Sequence, residues 1–246
     1  MNNKLFLIGI GPGSIENMTI RAYKCIEACE VLVGYSVYID QVRELCNNKK
    51  VIERGMGQEI ERCRLAIDEV LHGRKTAILC SGDSLLYGMA GLAFELINSL
   101  ELTDKIEIDV IPGITSAISC SSLLGAPIVE DFCTISLSDY MVSWDKILKR
   151  LEKAAEADFV IAIYNPKSKA RPDHLKVAME YIEKYRSNST PVGVVRNAYR
   201  DNEHITITTI KELDYDAIDM FTTLIVGNSN TYIYNEKMIT PRGYKL

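Results

Sequence analysis

Three short glycine-bearing stretches hold the residues best suited to chemistry. Gly9-Ile10-Gly11-Pro12-Gly13, Ser81-Gly82-Asp83-Ser84 and Pro112-Gly113-Ile114-Thr115-Ser116 each follow an apolar run. A buried strand that stops at such a turn presents backbone N–H groups, and at Asp83 a carboxylate, at the carboxyl edge of a sheet. In open α/β sheets ligands bind outside that edge. The chemistry on offer is the holding of a polar or planar ligand by backbone groups. A purely structural use stands beside it: Asp83 suits a helix N-cap, and Thr115 and Ser116 suit capping hydroxyls.

The first stretch argues against a nicotinamide or flavin site. The pattern G-x-G-x-x-G fails at Ser14, and Pro12 removes one N–H from any pyrophosphate cradle. The second strand ends at Gly34-Tyr35, where a dinucleotide fold would place an acid for the ribose.

The elements that must position these turns alternate. Strands are expected over Lys4–Ile10, Val31–Val33, Lys50–Ile52, Thr76–Cys80 and Ile106–Ile111. Between them the spacing predicts a helix capped by Thr19 with Ala22, Ile26 and Cys29 on one face, a short one over Ser36–Leu45, one through Ile60, Cys63, Ile67 and Val70, and one over Leu86–Leu100. A small-residue helix, Thr115–Leu124, follows. This is the pattern of a parallel sheet covered on both faces. Gly125-Ala126-Pro127 breaks it. Beyond lie strands at Phe132–Leu137, Asp158–Ile163, Val192–Val195, Ile205–Thr209, Thr222–Val226 and Tyr232–Tyr234. Two helices intervene, one N-capped by Ser143 and one behind Pro172. The Thr-rich alternation suggests a mixed sheet. The expected division is a domain over 1–124, a linker at 125–130 and a second domain over 131–246.

Composition bounds the rest. The chain has 246 residues, 47% of them hydrophobic, enough for well-buried cores, and a net charge of -5 that disfavours a general nucleic-acid binder. The apolar run after Met1-Asn2-Asn3-Lys4 is too short for a signal peptide, and no run approaches the roughly 18 residues of a membrane span. A cytoplasmic protein with no membrane partner is expected. The seven cysteines (Cys25, Cys29, Cys46, Cys63, Cys80, Cys120 and Cys133) form no C-x-x-C pair and read as reduced core thiols. Three scattered histidines make no metal-site pattern, so no metal is expected. His72 and His174 read as surface helix residues.

The turns together carry a resemblance over essentially the whole chain. G-x-G-P-G near the start, the Gly82-Asp83 turn and P-G-x-T-S resemble the tetrapyrrole (corrin/porphyrin) methylases. Further blocks resemble one branch, the precorrin-3B C17-methyltransferases and their cobalt-factor III counterparts. These are Gly34-Tyr35-x-x-Tyr38, Gly55-Met56 with Glu59 and Arg62, Tyr87-Gly88-Met89-Ala90, and Asp131-Phe132-Cys133. Later come Ser136-Leu137-Ser138-Asp139 with Trp144, Tyr164-Asn165-Pro166-x-Ser168-x-x-Arg171, and Thr190-Pro191-Val192-Gly193 with Arg196 and Arg200. Val226-Gly227-Asn228-Ser229-x-Thr231 is the last. One position departs from the pattern: Ser84 stands where the family usually has Pro.

The resemblance implies two α/β domains with the active-site cleft between them, a homodimer, and S-adenosyl-L-methionine as cofactor. It implies cofactor contacts at Pro12, Gly82, Asp83, Leu86, Tyr87, Thr115 and Ser116, and at Tyr164, Asn165, Asn197, Ala198 and Asn228. The implied substrate is a tetrapyrrole with many carboxylates, for which Arg54, Arg171, Arg196 and Arg200 are candidate forks. The implied reaction is methyl transfer to C17 with ring contraction, in cobalamin biosynthesis. Transfer from a sulfonium needs alignment and exclusion of water more than a base. Contraction, in which a hydroxylated bridge carbon leaves as an acetyl group, needs a general base. Asp139 is the first candidate, with Glu59 and His204 behind it. Two rivals stay open: a methylase of the same fold acting at another ring carbon, and a non-catalytic adenosyl-methionine or corrinoid binding protein.

Overall fold

The computed structural model describes residues 3–245. The chain forms two compact units, one ending at Thr115 and the other beginning at Ser116.

The first unit runs β1 (Asn3–Gly9), α1 (Ile20–Ala28), β2 (Val31–Tyr35), α2 (Ser36–Asp40), β3 (Lys50–Arg54), α3 (Glu59–Leu71), β4 (Thr76–Cys80), α4 (Ala90–Ser99) and β5 (Ile106–Ile111). The five strands are all parallel, in the order β3-β2-β4-β1-β5. Alternate residues feed opposite faces. Leu5, Leu7, Val33 and Ile78 pack with Cys63, Ile67 and Ala93 of α3 and α4. Ile8, Leu32 and Leu79 pack with Ala22, Ile26 and Ile39 of α1 and α2. As expected, the Thr19 hydroxyl accepts from Ala22 N, 3.1 Å away, at the start of α1. Because β1 lies between β4 and β5, with Gly9 beside Cys80 and Ile8 beside Ile111, the turns after all three strands share one edge.

Two helices differ from expectation. The segment after Asp40 closes in a separate 3-10 turn over Arg43–Cys46. Helix α4 starts at Ala90, four residues later than its periodicity suggests. Residues 84–89 form a loop in which Tyr87 takes φ +57° and Ala90 N donates to Ser84 O at 3.0 Å. Gly88 fits because a Cβ there would lie 2.4 Å from Ser84 O.

The second unit runs α5 (Ser116–Leu124), β6 (Gly125–Ala126), β7 (Phe132–Ser136), α6 (Trp144–Glu156), β8 (Val160–Tyr164), α7 (His174–Glu183), β9 (Pro191–Arg196), β10 (His204–Thr209), β11 (Thr222–Val226), β12 (Tyr232–Tyr234) and β13 (Lys237–Ile239). Its main sheet has the order β10-β9-β11-β8-β7. Only β7 and β8 pair in parallel, and the other three pairings are antiparallel, which makes the expected mixed sheet. Ser143 stands at the N-cap position of α6, but its side chain makes no capping bond. Strand β13, which the sequence did not announce, joins β12 and β6 in a small sheet.

The division therefore falls before α5, not at 125–130. Helix α5 covers β9 and β11, and a Cβ on Gly193 would come within 2.3 Å of Leu124 Cδ1. Gly125 and Ala126 pair with β13 inside the second unit. One buried cation braces this unit. The Arg186 side chain is 2% exposed and pairs with Asp158 at 3.0 Å. It also donates to the carbonyls of Ala155, Phe159 and Gly227, at 2.5, 2.9 and 3.3 Å.

Candidate active site

In the first unit the three glycine turns are clasped backbone to backbone. Gly11 N donates to Gly82 O at 3.0 Å, and Gly82 N donates to Gly11 O at 2.8 Å. A Cβ on Gly9 would lie 2.7 Å from both Gly113 N and Gly82 O, and one on Gly113 would lie 2.1 Å from Gly82 O. Glycine is therefore required for the turns to meet at all. Asp83 locks the arrangement: Oδ1 accepts from Leu85 N at 2.8 Å and Oδ2 accepts from Gly113 N at 2.9 Å. It is not the N-cap of α4, whose cap residue is Met89. Its charge fixes the loop carrying Leu86 and Tyr87 against the Pro112-Gly113 turn. Ser84 is fully buried, and its hydroxyl has no hydrogen-bond partner. Cys80, directly before the turn, is buried, and desolvation pushes its thiol up to about 11. It is a core thiol and a poor nucleophile.

In the second unit β7, β8 and β9 point the same way, so Ser136, Tyr164 and Arg196 end at one edge. The Tyr164 hydroxyl accepts from Ala117 N at 2.7 Å, in the first turn of α5, which brings the edge up to Ser116. Tyr164 and Ala198 pack on the same cluster as Ala117 and Cys120. Asn165, at φ +52°, donates through Nδ2 to Ser136 Oγ at 2.9 Å. Asn197, at φ +53°, opens a turn closed by Arg200 N donating to Asn197 O at 2.9 Å. Ser116, Tyr164, Asn165, Asn197 and Ala198 are thus gathered within one unit.

Asn228 is not among them. Strand β11 runs antiparallel to β8, so the residues after Val226 lie at the opposite edge, beside the start of β8. There Asn228 is 3% exposed and donates to Glu130 Oε2 at 3.0 Å, while its Oδ1 accepts from Asn230 N and the Thr231 hydroxyl. It is a loop-closing residue.

Of the candidate bases, Glu59 is tied to Arg62, 2.7 Å away, and to Gly57 N. His204 is an exposed residue of β10, paired across from Arg196, with Nε2 3.2 Å from Thr206 Oγ1. Asp139 sits just past β7 at the same edge as Tyr164. Its Oδ2 is 3.1 Å from His174 Nε2, and its Oδ1 is 3.9 Å from Arg171 Nη1. The His174 bond, against slight desolvation, holds the Asp139 carboxyl below the usual carboxylate range.

The four arginines divide. Arg54 donates to Glu61 Oε1 at 2.7 Å and to Glu53 O, so its fork is already engaged. Arg171 is held by Ser168 Oγ and Leu137 O beside Asp139. Arg196 donates through Nε to Asp219 Oδ2 at 2.7 Å, which orients the fork and leaves its Nη groups to other acceptors. Burial raises the Asp219 carboxyl, but Arg196, Phe221 N and the Thr222 hydroxyl together carry it below the usual range. Arg200 follows in the Asn197 turn.

Sequence reasoning missed His174. It is the first residue of α7, its side chain is only 20% exposed, and its ring lies 4.1 Å from that of Trp144. The signal was its place directly after Pro172-Asp173, at a helix start rather than along an exposed face.

The chain is a two-unit α/β protein: the first unit carries a glycine-clasped parallel edge, and the second carries a mixed-sheet edge rich in short polar groups. The family described as Tetrapyrrole (Corrin/Porphyrin) Methylases matches residues 4–214, and the chain belongs to it. It is 46% identical to a probable cobalt-factor III C(17)-methyltransferase of Salmonella typhimurium, over 98% of this chain and 100% of that one. It is 45% identical to a cobalt-factor III methyltransferase of Priestia megaterium over its whole length, but spans only 46% of that longer protein. The crystal structure of the methyltransferase CobJ superposes with a TM-score of 0.91 at 27% identity, covering 96% of this chain and 99% of that one.

Proposed function

We propose that this protein transfers a methyl group from S-adenosyl-L-methionine to C17 of a tetrapyrrole of the cobalt-factor III or precorrin-3B type, with ring contraction, in cobalamin biosynthesis. The observation that carries the reading is the full-length likeness to a cobalt-factor III C(17)-methyltransferase. The clasped edge of the first unit fits the methyl donor. Its turns meet through glycines, and Asp83 spends its charge on backbone N–H groups, so the edge offers peptide groups rather than reactive side chains.

In this reading the donor supplies an electrophilic methyl group. Pro12, Gly82, Asp83, Leu86, Tyr87 and Thr115 on the edge of the first unit are candidate donor contacts, and so, on the edge of the second, are Ser116, Tyr164, Asn165, Asn197 and Ala198. Their work is to orient the donor and exclude water. Arg196, aligned by Asp219, and Arg200 bind substrate carboxylates. Arg54, committed to Glu61, contributes less. We further propose a cytoplasmic homodimer, which sedimentation analysis tests directly. Among the described residues no helix is long and apolar enough to cross a membrane.

The test is incubation with S-adenosyl-L-methionine and either cobalt-factor III or precorrin-3B, reading product mass and, by NMR, the methylated carbon. A product methylated at C17 is expected. Methylation at another carbon would move the protein to a different branch of the family. Tight cofactor binding without turnover on either substrate would make it a binding protein.

A further inference from the structure

The polar edge of the second unit holds an arrangement that methyl transfer does not use. Asp139, in the loop after β7, and His174, opening α7, lie 35 positions apart in the sequence and meet at 3.1 Å. The imidazole is clamped on one side by Trp144, the first residue of α6, at 4.1 Å between ring centres. Arg171 reaches Leu137 O at 3.3 Å and closes the loop that carries Asp139. Three elements of the unit thus converge on one ring that remains 20% exposed. An ionised carboxylate is acceptor-only, so Nε2–H is the donor in this pair, and in the neutral ring Nδ1 then carries the lone pair. Tyr140 and Met141, which follow Asp139 directly, are 81% and 85% exposed. They give the same loop an apolar surface suited to a flat macrocycle.

Resting on the function proposed above, we propose that His174 is the general base of ring contraction and that Asp139 is its positioning residue. The step is a single proton transfer. On a precorrin-3B-type substrate, whose bridge carbon is hydroxylated, the O–H bond breaks, an N–H bond forms at His174 Nδ1, and the electron pair stays on oxygen as an alkoxide. Asp139 fixes the tautomer and stabilises the imidazolium that results. The assignment replaces Asp139 as the base: a carboxylate already bound to an imidazole is a weaker proton acceptor than the imidazole it orients.

The experiment uses the full chain with S-adenosyl-L-methionine and cobalt-factor III or precorrin-3B. Methyl gain and acetyl formation are measured in the same reaction for wild type, His174→Gln, Asp139→Asn and Asp139→Glu. The expected result for His174→Gln is a fall of about 100-fold in contraction relative to methyl transfer. Asp139→Asn should lower the same ratio, and Asp139→Glu should restore part of it. Folding is checked by circular dichroism and thermal melting. If His174→Gln is unfolded, the two variants of the more exposed Asp139 decide alone. An unchanged ratio, or equal loss of both activities in folded variants, overturns the proposal. A wild type that methylates neither substrate overturns the functional reading and this proposal with it, whereas normal contraction by His174→Gln overturns this proposal alone.

Discussion

Asp83 shows how one side chain serves a site it need not touch chemically. Its oxygens accept from Leu85 N and Gly113 N, joining two turns that sequence places 30 residues apart. Charge-assisted bonds to backbone N–H groups contribute roughly 1.5–3 kcal/mol each. Asp83→Ala should therefore loosen the edge, destabilise the protein by about 3 kcal/mol or more and weaken S-adenosyl-L-methionine binding at least ~10-fold, since 1.4 kcal/mol is one decade. Calorimetric titration checks this, and undiminished affinity would reduce Asp83 to a turn residue. The neighbouring Ser84 predicts the opposite sign. Its buried hydroxyl has no partner, and removing an unsatisfied buried polar group is neutral or favourable. Ser84→Ala should leave the urea midpoint unchanged or raise it. A clear fall would mean that the hydroxyl is satisfied in solution.

At the scale of elements, the sheets decide which turns can meet. Strand β9 ends at Arg196, whose fork is oriented by Asp219 in the loop entering β11. The Asp219 carboxyl lies below its ordinary range, so its contribution is fully present above the unfolded-state value. It is lost as the pH falls through the lower folded value. The stability gap between wild type and Asp219→Asn should therefore be widest near neutrality and narrow below about pH 4. Urea midpoints measured at pH 7 and pH 3 test it, and a gap independent of pH would contradict it. The same scale explains what could be read in advance. Strands β1, β4 and β5 and their turns were legible because apolar runs stop at glycine. The start of α4 was not. Leu85, Leu86 and Met89 fit helical periodicity, and only Asp83 capturing Leu85 N and the left-handed Tyr87 show that the chain loops first. The edge on which Asn228 falls was not legible, because a run such as Thr222–Val226 carries no mark of its direction. His174 was passed over because its partners, Asp139 and Trp144, are distant in sequence.

At the scale of the whole molecule, one chain carries two different solutions to burying a sheet. The first unit is all-parallel, with hydrophobic layers on both faces. The mixed sheet of the second brings strand starts and strand ends to each edge, and it is braced by a buried arginine, as the first unit is by Arg62 bound to Glu59 and Gly55 O. Arg186 links the end of α6, the entry to β8 and the exit of β11 through three carbonyls and Asp158. Burial alone lowers the affinity of this guanidinium for its proton, and Asp158 opposes that. Removing one partner of a buried ion pair typically costs about 3–5 kcal/mol, because the remaining groups lose their compensation. Arg186→Met keeps much of the volume and discards the donors. It should lower the unfolding free energy by about that amount, with amide exchange accelerating first in β8 and β11. Asp158 is more exposed than Arg186, so Asp158→Asn should cost less than half as much. Equal losses would place the energy in the ion pair itself; the expected inequality places it in the bonds that Arg186 gives to backbone carbonyls.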